Sequence, residues 1–247
     1  AVVKANAYGH GMIEIARALR SEGVEFLGVA FADEAVALRQ SGDRGNIFIM
    51  VPTFGQEAET IAVHDLQPAT SSMEFVRDVS RFAQIHGKTV RLHLFIDTGM
   101  HRDGVAPAAA VEFMKEACAF PGVEFVGICT HFAASPTNRE FSYRQLALFN
   151  QTIYTLNKAG YEFEYVHAAN SGAIINIPEA RFNLVRAGFA LYGYPPDECV
   201  SGQYDIRPVM SVQSAVVAVR RVAKGDCVGY DFGYVATEDM NVATVPA

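Results

Sequence analysis

Lys4 closes a short apolar run, Ala1-Val2-Val3, and leads into small residues and glycines, Ala5-Asn6-Ala7-Tyr8-Gly9-His10-Gly11. A lysine ending a buried parallel strand meets a low dielectric that disfavours its ammonium form, which frees the amine for a Schiff base with a carbonyl. Tyr8, four residues on, is in reach of an anion held at the same place. Ile96-Asp97-Thr98-Gly99-Met100-His101-Arg102 ends in a guanidinium, a rigid fork suited to a phenolate or carboxylate oxygen. Thr130-His131-Phe132-Ala133 sets a histidine after another apolar run. His167-Ala168-Ala169-Asn170-Ser171-Gly172 offers a hydroxyl and backbone N–H groups that suit phosphate. Further on, Arg186 precedes Gly188, a residue that allows close backbone approach, and Tyr230 follows Gly229. Taken singly, each motif has a plain structural account as well. Lys4 would be solvated at a Gly turn, Arg102 paired with Asp97 or Asp103, and His131 satisfied in a core. Ser171 would sit in an ordinary capped turn, Arg186 in an ion pair, and Tyr230 in packing.

The elements that must position these groups follow from periodicity. Short β-branched runs alternate with amphipathic segments: Phe26–Ala30 then Asp33–Gln40, Ile47–Val51 then Glu57–Val63, Thr89–Ile96 then Pro107–Phe120, Val123–Thr130 then Phe141–Lys158. Ala1–Lys4, a weak strand at Asp65–Ala69 before a helix at Ser72–Gly87, and runs at Tyr165–Ala169 and Asn183–Val185 bring the expected strands to eight. That pattern predicts an α/β fold, a (β/α)8 TIM-type barrel, whose active site forms at the C-terminal ends of the strands, where the motifs fall. Ser71 and Ser72 are expected caps, and Pro107 stands where a first-turn proline is tolerated. Past Gly193-Tyr194-Pro195-Pro196 the helical pattern stops, and Val209–Val222, Asp226–Val228 and Asn241–Val245 read as strands. The expected division is a barrel over residues 1–198, entered within its first strand, and the beginning of a C-terminal β domain over 199–247.

Half of the 247 residues are apolar and 19% are charged, which is the composition of a globular protein with a substantial core. A net charge of −7 without a dense basic run argues against nucleic acid or anionic lipid as a partner. Cys118, Cys129, Cys199 and Cys227 lack metal-type spacing and read as reduced thiols of a cytoplasmic protein; no metal is expected. No stretch is apolar over the roughly 20 residues that span a bilayer.

Lys4 to Gly11 resembles the pyridoxal-phosphate attachment segment of the alanine racemase family, and Lys4, Arg102, His131, Ser171, Arg186 and Tyr230 occur in that family's order and approximate spacing along the whole chain. The resemblance implies that Lys4 bonds covalently to pyridoxal 5'-phosphate and that Tyr8, Ser171, Gly188 and Phe189 hold its phosphate. Arg102 would sit by the phenolate oxygen and the substrate, and Arg186 would face the pyridine nitrogen. Because a guanidinium does not act as a proton donor near neutrality, that nitrogen would stay unprotonated, which favours racemisation over transamination. Lys4 and Tyr230 would be the two acid/base residues on opposite faces, with His131 polarising Tyr230 and His167 behind it. The implied protein is a homodimer in which Tyr230 enters the partner's site, interconverting L- and D-alanine and supplying D-alanine for peptidoglycan.

Phe95 stands where many family members carry a lysine that orients the arginine, Asp103 occupies a commonly apolar place, and Ala187 replaces a usual proline. Rival readings are a serine-preferring racemase and a non-catalytic carrier of pyridoxal phosphate. An amino-acid decarboxylase is disfavoured by Arg186, since that chemistry needs a carboxylate at the pyridine nitrogen.

Overall fold

Most strand residues are apolar because both faces of a parallel sheet are covered. The computed structural model describes residues 1–196 and 204–246, so the expected boundary at residue 198 and Cys199 lie outside the described residues. Two compact units emerge, Ala1–Pro208 and Val209–Ala247. In the first, β1 (Phe26–Val29), β2 (Asn46–Ile49), β3 (Gln67–Thr70), β4 (Val90–Phe95), β5 (Val123–Cys129) and β6 (Tyr165–His167) form one six-stranded parallel sheet in chain order. The intervening helices are α1 (Lys4–Tyr8), α2 (Met12–Ser21), α3 (Ala32–Gln40), α4 (Ala58–Val63), α5 (Met73–Ile85), α6 (Ala110–Ala117), α7 (Arg139–Lys158) and α8 (Ser171–Asn176).

Two of the eight expected strands have no ladder of their own. Val2 makes an isolated parallel bridge to Gly28, because the chain turns away just after Lys4. The Asn183–Val185 segment is pinned at its end: Arg186 N donates to Ala169 O at 2.9 Å, and Ala187 O accepts from Val2 N at 2.8 Å. Those single bonds lie on either side of one segment, so the six-stranded sheet curls until its two ends meet and an eight-position α/β barrel closes.

Helix α5 shows how local sequence sets the outer layer. The Ser72 hydroxyl accepts from Phe75 N at 3.2 Å, capping the helix, and Phe75, Val76, Val79 and Ala83 repeat on its buried face. Ser71, the other expected cap, instead donates to Asp103 at 2.5 Å. The barrel interior is a separate layer made of Phe26, Phe48, Ala69, Phe95 and Cys129, flanked by Met50, Tyr165 and Leu184. Burying side chains of this size contributes on the order of 1.5–3 kcal/mol each.

The segment after Lys4, expected as an open Gly turn, is a single left-handed helical turn. Ala5, Asn6, Ala7 and Tyr8 all have φ between 51° and 56°. Such backbone costs an L-residue roughly 1–2 kcal/mol, so surrounding contacts must impose it. They do: Ala7 N donates to Val3 O at 2.8 Å, Ala5 N to Glu34 Oε1 at 2.6 Å, and Met12 N to Asn6 Oδ1 at 2.8 Å. His10 Nδ1 closes on Ala7 O at 2.9 Å.

In the second unit the expected strand Val209–Val222 is paired only over β7 (Ala218–Val222), which runs antiparallel to β10 (Met240–Thr244). β8 (Cys227–Val228) and β9 (Tyr234–Val235) form a short antiparallel pair, and Tyr230 lies exposed on the turn between them. Cys118, Cys129 and Cys227 are unpaired. Among the described residues, no helix is long and apolar enough to cross a membrane.

Candidate active site

At the C-terminal end of the strands a cavity of about 460 Å³ opens in the first unit, lined by Lys4, Tyr8, His131, Ser171, Arg186, Gly188 and Phe189 among others. Seven of the positions singled out in the sequence therefore share one wall system, as expected when each closes or follows a barrel strand. Lys4 is half-buried at the entry to the left-handed turn. That turn carries Tyr8 around so that lysine and tyrosine face the same space.

Tyr8, Ser171 and Gly188 form a polar cradle. Ser171 Oγ accepts from Gly188 N at 3.0 Å and from Ala190 N at 3.3 Å, so the start of the Phe189–Tyr192 turn is drawn against α8. A Cβ on Gly188 would stand 2.7 Å from the Tyr8 hydroxyl, so only glycine leaves that oxygen room. Burial raises the Tyr8 pKa and keeps its hydroxyl a donor. Its ring packs on Phe189 and Tyr192, at 5.4 and 5.1 Å between centroids. Asn170 caps α8 by accepting from Ala173 N at 3.1 Å and from Ser135 Oγ at 2.6 Å. Hydroxyls and backbone N–H groups converging on glycine are the donor set that anions use.

Arg186 is buried at the cavity floor, 9% exposed. Nη1 donates to His167 Nδ1 at 2.7 Å and His167 O at 3.0 Å; Nη2 donates to Thr130 O at 2.6 Å and Ala168 O at 3.0 Å, and lies 3.3 Å from His131 Nδ1. Its partners are carbonyls and imidazoles, so its positive charge is not cancelled by a carboxylate, and the ion-pair account of this residue does not hold. Burial, followed by the charges of Arg186, Arg102 and Lys4, lowers the His131 pKa to about 3. His131 is thus a neutral imidazole, held to the floor by Arg186.

Arg102 is exposed on the turn after β4 and is not among the residues lining the cavity. Among the described residues it pairs with neither Asp97 nor Asp103. Asp97 accepts from Gly99 N at 2.9 Å and from His101 N at 3.1 Å, and meets His101 Nδ1 at 2.9 Å. Asp103 meets Ser71 and accepts from Gly104 N at 2.7 Å. Phe95 is 7% exposed and packs in the barrel interior, so no polar group reaches toward Arg102 from that position.

Gln145 on α7 escaped the sequence reading. Its amide accepts from Ala133 N at 3.0 Å and donates to His131 O at 3.1 Å and Thr98 Oγ1 at 3.2 Å, bracketing the loop that carries His131. A lone glutamine on a helix carries no motif; its burial within the amphipathic face was the available signal.

The alanine racemase N-terminal domain matches residues 1–196, and the alanine racemase C-terminal domain matches residues 209–247. An alanine racemase of Treponema denticola is 37% identical over 99% of this chain and 65% of its own length. An alanine racemase structure from Clostridium difficile superposes with a TM-score of 0.93 at 31% identity, covering 99% of this chain and 65% of that one. A histidine racemase from Leuconostoc mesenteroides superposes with a TM-score of 0.89 at 29% identity, covering 99% and 66%. The chain spans about two thirds of the length of the relatives it matches, 65% of the Treponema denticola enzyme.

Proposed function

The chain belongs to the alanine racemase family, and on that premise we propose that its parent protein interconverts L- and D-alanine with pyridoxal 5'-phosphate, as a cytoplasmic homodimer supplying D-alanine for peptidoglycan. The observation that carries this reading is the convergence of Lys4, the Tyr8–Ser171–Gly188 cradle and the carboxylate-free Arg186 on one cavity. The donor set fits the cofactor: an amine for its carbonyl, hydroxyl and N–H donors for its phosphate, and a guanidinium for its ring nitrogen. Tyr8 and Ser171, with the backbone of Gly188 and Phe189, would hold the phosphate; Arg102 would lie near the phenolate oxygen and the substrate.

When bound, pyridoxal phosphate supplies the electron sink that makes the amino-acid Cα–H acidic. Arg186 would donate a hydrogen bond to the ring nitrogen without surrendering a proton, so that this nitrogen would stay unprotonated and protonation at the wrong carbon would be limited. Racemisation requires removal of the Cα proton from one face and its return on the other. Lys4 Nζ serves the D enantiomer, and the hydroxyl of Tyr230 of the partner subunit serves the L enantiomer. His131, neutral and tied to Arg186, polarises that tyrosine, and His167 backs the arginine.

The test uses the full-length protein with pyridoxal phosphate, assayed in parallel for conversion of L-alanine and L-serine to their D forms. Lys4→Ala is expected to abolish the visible absorbance of the lysine-bound cofactor. Tyr230→Phe should retain the band while the L-to-D rate falls at least about a hundredfold, the scale of losing an acid/base group. Serine dominance would replace alanine as the substrate, and cofactor binding without turnover of either amino acid would make the protein a carrier.

A further inference from the structure

The barrel interior holds a line of polar groups, two of which, Gln67 and His93, the reaction above leaves unused. Gln67 on β3, His93 on β4 and His167 on β6 all point inward, each with 0% exposure. His167 Nε2 lies 2.9 Å from His93 Nδ1, and His93 Nε2 lies 3.2 Å from Gln67 Oε1. Gln67 Nε2 donates to Asn46 Oδ1 at 2.9 Å, and the same oxygen accepts from Arg91 Nη2 at 3.3 Å. With the 2.7 Å contact between Arg186 and His167, the line runs from the cavity floor to the opposite end of the barrel.

Only one arrangement of protons satisfies every member. A guanidinium solely donates, so His167 Nδ1 must present a bare lone pair to Arg186, and the neutral ring carries its hydrogen on Nε2. That N–H donates to His93 Nδ1, which places the His93 hydrogen on Nε2, facing Gln67 Oε1. The reverse order would set a His167 Nδ1–H against an arginine N–H. Protonating either ring has the same fault: a second hydrogen on His93 would set its Nδ1–H against His167 Nε2–H, and one on His167 would set its Nδ1–H against Arg186. Burial first, and the charge of Arg186 second, lower the pKa of both rings, that of His93 to about 3.

Two structural details exist to seat His93. The β4–β5 register slips, so that Leu92 pairs with Phe125 but His93 with Gly127, a bulge that brings a glycine opposite the imidazole. A Cβ at Gly127 would overlap the His93 ring. Phe48 then packs at 4.9 Å from the His93 ring and 5.0 Å from that of His167, walling both from water.

We propose that His93 and Gln67 are positioning residues for Arg186: they lock His167 with its hydrogen on Nε2, so that its Nδ1 lone pair holds the guanidinium in one direction at the cavity floor. This rests on Arg186 being the group that faces the cofactor ring. Without the His93 acceptor, the His167 Nε2–H is buried and unpaired, a cost the ring reduces only by turning away, which takes its Nδ1 lone pair out of line with the Arg186 guanidinium. Arg186 then loses its fixed direction, and with it control over which carbon is protonated.

The direct test is neutron diffraction from deuterated crystals of the full-length, cofactor-loaded enzyme. Deuterium on Nε2 alone of both His93 and His167 is expected; deuterium on Nδ1 of either ring overturns the inference. His93→Leu, with Gln67→Leu as the gentler change, is then compared with wild type for racemisation and for pyruvate released by transamination. A fall in kcat of at least about tenfold, the scale of a small misplacement, is expected with KM for alanine within about twofold and a raised ratio of pyruvate to racemised alanine. A folded variant whose ratio is unchanged overturns the inference, because loss of general stability would not shift partitioning. A wild-type enzyme that racemises neither alanine nor serine overturns the reading on which the inference rests, an outcome distinct from misplaced deuterium.

Discussion

Acid should destabilise the barrel well above the pH at which carboxylates titrate. His93 and His131 have pKa values of about 3 in the folded protein, against a usual 6.5. Between those values the unfolded chain binds more protons than the folded one, so stability rises with pH through this window and is lost as pH falls through it. Taking a histidine from pH 7 to pH 5 stabilises the unfolded state by about 2 kcal/mol, or about 4 kcal/mol for the pair. His167, whose pKa is also lowered, acts in the same direction. Set against a typical stability of about 5–15 kcal/mol, this is a large fraction. The assay is urea unfolding followed by circular dichroism at pH 7, 6 and 5, at fixed protomer and cofactor concentrations. His93→Leu isolates one ring: its destabilisation measured at pH 7 should shrink by about 2 kcal/mol at pH 5, because the variant has lost a group that must stay neutral. A wild-type stability that is flat or increasing from pH 7 to pH 5, or a His93→Leu penalty independent of pH, would refute the argument that these imidazoles are buried neutral.

Two backbone positions give opposite expectations. Ala5→Gly, at φ 51° in the left-handed turn, should be neutral or stabilising by up to about 1 kcal/mol in denaturant midpoints, since glycine relieves the strain there. Gly127→Ala should cost about 1–3 kcal/mol by overpacking against His93, and should also raise the pyruvate ratio if His93 positions Arg186.

Much of the barrel was legible from the alternation of apolar runs with amphipathic segments, since each strand covered on both faces and each helix covered on one leaves its own period in the chain. The helix capped at Ser72 was legible for the same local reason. Glycines 188 and 229 and the lysine, arginine, histidine and tyrosine motifs were visible as types and spacings, and the family resemblance ordered them. Two features escaped because they are made by contacts distant in sequence. The left-handed turn at Ala5–Tyr8 has no glycine within it and depends on Glu34, 29 residues from Ala5. Closure of the barrel rests on bonds from Arg186 to Ala169 and from Val2 to Ala187, where the pattern suggested full strands.

Phe95 illustrates the same division. Set against the family resemblance, its type said only that an expected polar group is missing beside Arg102; the fold turns it into part of the barrel's packed interior. His93, two residues earlier on the same inward face, was unremarkable as sequence. It acquires meaning only where Gly127, brought level by a bulge, makes space and where His167 and Gln67 supply partners 74 and 26 residues away. Periodicity records which face of an element is buried, because burial acts on every residue of that face. Hydrogen-bond direction and proton placement belong to pairs of atoms, and those pairs exist only once the barrel has closed.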